Sequence, residues 1–374
     1  MPISAPESSG RLLWAALLVA PLAAVLYQFP IQILNPRAPE PKAAPATAAM
    51  NAGAELELEY DMPGVLRVHK SGRVERFDGV ETVPPCPSGD PANGVASKDV
   101  VLDPAANIHA RLYLPSAVAA TEPGKKLPVV VFFHGGAFFV HTAASPLYHR
   151  YCASLAAAVP AVVVSADYRL APEHPIPAAY DDAFAALKAV VGACRPGGAE
   201  PWLAAHGDAS RVVLAGDSAG ANMAHATAIR LGKERIDGYG GKVSGVALLN
   251  PYFWGKEPVG GEPTDAGYRG GFERAWEVIC SGKFGPDHPY INPAASPEEW
   301  RRLGSGRVLV TTAEHCWFVE RARAYAEGVK ACGWDGELQF HEAKGEAHVY
   351  FLPKYDSDTA VKELAMVADF VRRC

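Results

Sequence analysis

Val212-Val213-Leu214-Ala215-Gly216-Asp217-Ser218-Ala219-Gly220 runs from four apolar residues into a serine with a glycine two positions to either side. That is the spacing of a nucleophile elbow, a sharp turn from strand to helix that lifts a hydroxyl out of the backbone. Small residues flank the serine because side chains there would collide with the neighbouring strand or helix. The same five residues would also suit a plain tight helix start with Ser218 as its cap. What favours the elbow lies upstream, where His134-Gly135-Gly136 follows the strand-like run Pro128 to Phe133. A glycine loop there offers backbone N–H groups to a developing oxyanion.

Outward from the elbow, apolar runs alternate with helix-length segments. Short strands are expected at Val65 to Val68, Asp99 to Leu102 and Ile108 to Leu114. Strands then alternate with helices: Val129 to Phe133, a helix from Tyr148 to Ala158, Ala161 to Ser165, a helix from Tyr180 to Val191, Arg211 to Ala215, and a helix from Ala219 to Leu231. Further strands are expected at Val243 to Leu249, Arg307 to Thr311 and Glu337 to Phe340, with helices near Val319 to Cys332 and Thr359 to Arg373. Repeated β-α alternation implies an α/β fold with a mostly parallel, doubly wound sheet whose crevice lies at the carboxyl ends of the strands. Phe253 to Trp300 breaks the rhythm with glycines, prolines and aromatics and is expected to supply a cap.

The chain divides into residues 1–54 and a catalytic domain over 55–374. Leu12 to Tyr27 is uncharged and mostly apolar, Arg11 precedes it, and no charge returns until Arg37. Three readings fit: a membrane anchor through residues 12–34, a signal peptide, or a segment packed on the domain. Pro36 to Ala54, rich in proline and alanine, reads as a linker. The 374 residues carry 49% hydrophobic and 20% charged residues and a formal net charge of −6. That charge, without a basic stripe interleaved with aromatics, argues against nucleic acid as a partner. Seven scattered cysteines form no C-x-x-C pair and no zinc-spaced cluster with histidine, so no metal is expected. They read as reduced thiols, which favours a cytosol-facing domain.

Ser218 is the candidate nucleophile, and the amides of Gly135, Gly136 and Ala219 are the candidate oxyanion donors, with Ala137 beside them. Among 12 histidines, His348 stands out as general base. It lies between the last expected strand and the terminal helix, and it follows Ser218 in the chain order such a base requires. Asp167, Tyr168 and Arg169 end a strand near the crevice and are expected to brace the His134 loop. Asp287 is expected to organise its own loop or to line the pocket.

Val131-Phe132-Phe133-His134-Gly135-Gly136-Ala137-Phe138, then Asp167-Tyr168-Arg169-Leu170-Ala171-Pro172-Glu173-His174, then Gly216 to Gly220, resemble the plant carboxylesterases of the hormone-sensitive-lipase group, the wider family of the gibberellin receptors. The resemblance spans Glu55 to Cys374. It implies an α/β-hydrolase fold with a helical or loop cap and an esterase acting on small carboxylic esters without metal or organic cofactor. One position departs from the pattern. Similar enzymes carry the triad acid in an Ala-Glu-x-Asp turn, whereas this chain reads Ala313-Glu314-His315-Cys316. Glu314 or Glu320 would have to swing in to replace that carboxylate. Loss of the acid leaves a second reading open, a hydrolase-derived small-molecule receptor or binding protein with little turnover.

Overall fold

The computed structural model describes residues 57–121 and 124–374. Residues 12–34, read as an anchor, signal peptide or packed segment, lie outside them. Among the described residues no helix is long and apolar enough to cross a membrane.

Among the described residues eleven strands form two sheets. β1 (Leu58–Met62), β2 (Leu66–His69) and β3 (Val74–Arg76) make a small antiparallel sheet. The large sheet contains β4 (Val95–Asp103), β5 (Ile108–Pro115), β6 (Leu127–Phe133), β7 (Val162–Ala166), β8 (Gly207–Asp217), β9 (Gly245–Leu249), β10 (Arg307–His315) and β11 (Glu337–Ala347). Its order is β11-β10-β9-β8-β6-β7-β5-β4. Every pairing from β11 to β7 is parallel, and β5 and β4 are antiparallel additions at the far edge.

The sequence explains the layering. Leu127–Phe133 and Val162–Ala166 are near-continuous apolar runs buried at every position, as strands must be when helices cover both faces. Helix Pro146–Ala158 packs with the terminal helix Asp358–Arg373, and Ala178–Ala193 packs with Ala219–Lys233. The expected strands and helices are present, most of them longer than their apolar cores. β8 and β11 extend through polar residues because their ladders continue past the hydrophobic pattern.

Phe253 to Trp300 holds more order than its composition suggests. Helix Ala266–Cys280 lies within it, its start capped by the Asp265 side chain accepting from the Tyr268 amide at 2.8 Å. Three glycines and four charged residues obscure that helix in the sequence, yet Trp276, Ile279 and Cys280 give it a buried face. Asp287 does organise its loop, accepting from the Lys256 amide at 2.9 Å and the Asn292 side chain at 3.1 Å.

Candidate active site

β8 ends at Asp217, and Ser218 follows with φ +50° and ψ −117°. A β-carbon seldom tolerates that left-handed backbone, and such strain persists only where the surroundings enforce it. Here the Ser218 amide donates to the Leu249 carbonyl and the Ser218 carbonyl accepts from the Tyr252 and Asn222 amides. The flanking glycines are dictated by close approach. A Cβ on Gly220 would sit 1.9 Å from the Phe133 carbonyl oxygen, and one on Gly216 would sit 2.5 Å from Gly220 backbone. The turn therefore presses against the end of β6, where the His134 loop begins.

β10 and β11 deliver the other two side chains. They run parallel, with His315 paired to Ala347 across an irregularity in register, so the next residues, Cys316 and His348, leave adjacent strands side by side. His348 Nε2 lies 2.9 Å from Ser218 Oγ, and His348 Nδ1 lies 3.1 Å from Cys316 Sγ. The three buried side chains thus form one line, with Trp317 and Phe318 rings 5.5 and 5.3 Å from the imidazole.

Electrostatics divide this line. Burial pushes the His348 imidazole down to about 3, favouring its neutral, proton-accepting form. Burial also pushes the Cys316 thiol up to about 12, despite the Phe318 amide donating to Sγ at 3.4 Å. The third position therefore carries a neutral thiol where a fixed charge would orient the imidazole and stabilise its protonated form. Neither glutamate fills that role. Glu314, exposed near the end of β10, accepts from the Gly345 amide at 2.8 Å, and Glu320 accepts from Arg323 at 2.8 Å. Among the described residues no hydrogen bond or ion pair joins either one to His348.

The loop after β6 differs from expectation at one residue. The Gly135 amide, expected among the oxyanion donors, points inward and donates to Tyr148 Oη at 2.9 Å and Asp217 Oδ1 at 3.0 Å. The amides of Gly136, Ala137 and Ala219 make no hydrogen bond within the described residues. Gly136 takes φ +102°, and a Cβ there would lie 2.4 Å from the Val140 carbonyl oxygen. Its own carbonyl accepts from the Phe139 and Val140 amides, which closes the turn. Tyr168 braces the loop as expected, its hydroxyl donating to the His134 carbonyl at 2.8 Å and its ring stacking on His134 at 4.3 Å. Asp167 accepts from the Ala143 amide at 2.7 Å, whereas Arg169 turns away to Asp182.

A family model described as alpha/beta hydrolase fold matches residues 130–352, a span that contains the loop, the elbow and His348. The chain belongs to the α/β hydrolases. It is 43% identical over 327 residues to "Probable carboxylesterase 13" of Arabidopsis thaliana, covering 85% of this chain and 99% of that protein. It is 40% identical over 337 residues to "Tuliposide A-converting enzyme 1, chloroplastic" of Tulipa gesneriana, covering 90% and 83%. Among solved structures, a hyperthermophilic esterase of the archaeon Pyrobaculum calidifontis superposes with a TM-score of 0.55 at 27% identity, covering 74% of this chain and 84% of that one. The α/β hydrolase described here is therefore carboxylesterase-like.

Two residues of the site carried no clear signal in the sequence. Asp217 was visible only as the variable residue of the elbow, yet its buried carboxyl holds the Gly135 amide and the Tyr148 hydroxyl. Glu363, in the polar pattern of the terminal helix, is also buried, and accepts from Thr311 Oγ1 at 2.7 Å and from the Tyr350 hydroxyl. It ties the segment after His348 to β10. Only its position on the inner face of an amphipathic helix could have singled it out.

Proposed function

We propose that this protein hydrolyses small carboxylic esters through a Ser218–His348 pair. His348 Nε2 takes the hydroxyl proton as Ser218 Oγ bonds to the acyl carbon. The carbonyl oxygen becomes an oxyanion, which the Gly136, Ala137 and Ala219 amides receive. His348 returns the proton to the departing alcohol. Water then adds to the acyl-serine, giving its proton to His348, and collapse releases the acid and restores Ser218. The observation that carries this reading is the 2.9 Å Oγ–Nε2 bond on a positive-φ elbow beside unengaged amides.

Cys316 at the acid position makes this a slow catalyst. If the thiol donates to Nδ1, the imidazole carries its proton on Nε2 and cannot accept from Ser218. Only the tautomer with a proton on Nδ1 is competent, and a neutral sulfur is a weak acceptor for it. Loss of the acid in a complete triad costs about 10^4 in turnover, and the oxyanion donors and substrate binding retain part of the rest. The same cysteine favours the second reading, a binding protein that keeps the family's crevice with little turnover. Ester turnover by purified protein, compared with Ser218→Ala, separates them: serine-dependent hydrolysis supports the enzyme, and equal background rates in both proteins support the binder.

For residues 1–54, membrane attachment through residues 12–34 is the reading we retain. The word chloroplastic in the tulip relative's name supports a competing plastid address. Fractionation of tagged full-length protein distinguishes them: attachment predicts release by detergent but not alkaline carbonate, and a plastid address predicts a shortened soluble form inside plastids.

A further inference from the structure

We propose that Asp217 is a positioning residue for the oxyanion loop, acting through the Gly135 amide and Tyr148, and that its ionisation gives ester turnover an acid limb that does not belong to His348. This deepens the proposed esterase reading and rests on it.

Three bonds close a triangle behind the loop. The Gly135 amide donates to Asp217 Oδ1 at 3.0 Å and to Tyr148 Oη at 2.9 Å, while Tyr148 Oη donates to Asp217 Oδ2 at 3.1 Å. The fit is tight, since a Cβ on Gly135 would lie 2.4 Å from Oδ2 and 2.9 Å from the tyrosine oxygen. Asp217 immediately precedes Ser218, so one residue links the backbone of the nucleophile to the peptide that begins the loop. With the Gly135 N–H turned inward and the His134 carbonyl held by Tyr168, the direction of the next two amides is set from behind. Asp217 touches neither Ser218 Oγ nor the space in front of it in any hydrogen bond, so its effect is on where those amides point.

An ionised carboxylate accepts from both donors. A protonated carboxyl places a hydrogen on one oxygen, and one of the donors loses its acceptor. Burial raises Asp217 to about 7, with the Tyr148 and Gly135 hydrogen bonds opposing that rise. The titratable groups facing it are Tyr148, Tyr151 and Cys152 from helix Pro146–Ala158 and Tyr168 from the segment after β7, with His134 of the loop behind them, its ring 5.4 Å from that of Tyr148. None of the four with a displaced pKa titrates near neutrality: burial pushes Cys152 up to about 12, raises Tyr151 and Tyr168 well above the usual phenol range, and pushes His134 down to about 3. His348, also near 3, stays neutral through the same interval.

The test is kcat and KM for a neutral short-chain aryl ester between pH 5.5 and 9, on wild-type protein, Asp217→Asn, Tyr148→Phe and Ser218→Ala. Wild-type kcat/KM is expected to fall as pH drops through about 7. Asp217→Asn is expected to lose that midpoint and to lower kcat at pH 8.5 by about 10- to 100-fold with KM within twofold, the penalty of amides displaced by a fraction of an ångström. Tyr148→Phe removes one donor from the carboxylate and is expected to move the midpoint upward, which keeps the inference testable if Asp217→Asn fails to fold. A wild-type profile flat from pH 6 to 8, an Asp217→Asn profile that keeps the wild-type midpoint, or a Tyr148→Phe midpoint unmoved overturns the role of Asp217. Turnover in Ser218→Ala equal to that of the wild-type protein overturns instead the esterase reading beneath it.

Discussion

Behind the nucleophile and behind the histidine, the molecule places a buried carboxyl group, and the two do different things. Asp217 lies next to Ser218 and holds the loop that faces it. Glu363 lies behind the histidine segment and holds Tyr350 and Thr311, while the imidazole itself meets the neutral thiol of Cys316. Scaffolding a histidine and charging it are therefore separable tasks. A buried carboxyl backs the segment at each place, and in the proposed mechanism no charge meets the imidazole.

Restoring the charge should break that contrast most visibly. Cys316→Asp places a carboxylate at His348 Nδ1 with the Phe318 amide available to it, and kcat for ester hydrolysis is expected to rise by about 10^2- to 10^4-fold. An unchanged rate would mean that the thiol is no handicap. Ser218→Ala should do less in absolute terms than it would in a complete triad. Removing the serine costs about 10^6 and removing the acid about 10^4 in a well-studied serine hydrolase, which leaves a fall of about 10^2 here. The same substitution made in the Cys316→Asp background is expected to cost far more, and comparing the two falls measures their coupling.

Gly220→Ala tests the shape side directly. Its methyl would enter the Phe133 carbonyl at 1.9 Å, so the elbow cannot close on β6 without backbone movement. Destabilisation of about 1–3 kcal/mol or more is expected, visible as a lowered melting temperature. Wild-type stability would show that the turn is looser than the packing implies.

The smallest effect is a pH dependence of stability, and its sign separates the buried groups. Asp217 and Glu363 are both raised to about 7 by burial, so the folded state binds their protons first and gains stability as pH falls from about 7 toward 4. His134, His225 and His348 are pushed down to about 3, so the unfolded state binds their protons first and stability falls below about 6.5. The two trends oppose each other between pH 6.5 and 4.5. Glu363→Gln removes part of the gain and is expected to steepen the loss of melting temperature on acidification. A slope that becomes shallower contradicts this account.

Much of this arrangement was legible in the residues. Gly216-Asp217-Ser218-Ala219-Gly220, read with the upstream His134-Gly135-Gly136 loop, favoured a strained strand-to-helix turn over a plain helix start, and the repeated β-α alternation pointed to a parallel sheet covered on both faces. His348 was legible by chain order, and the missing carboxylate by the cysteine at 316. The unreadable parts depend on direction. Nothing local says that the Gly135 amide faces inward while the next two do not, since that follows from Asp217 and Tyr148 converging from separate segments. Helix Ala266–Cys280 was hidden because its buried face is only a few residues among glycines and charges, and tertiary packing decides it.

The central claim is that Ser218 Oγ, assisted by His348, is the atom that attacks the acyl carbon. Treating the protein with a fluorophosphonate and locating the adduct by peptide mass spectrometry tests it most directly. A single adduct on Ser218, formed faster in Cys316→Asp and slower in His348→Ala, is the predicted result. An unmodified Ser218, or labelling indifferent to His348, would contradict it.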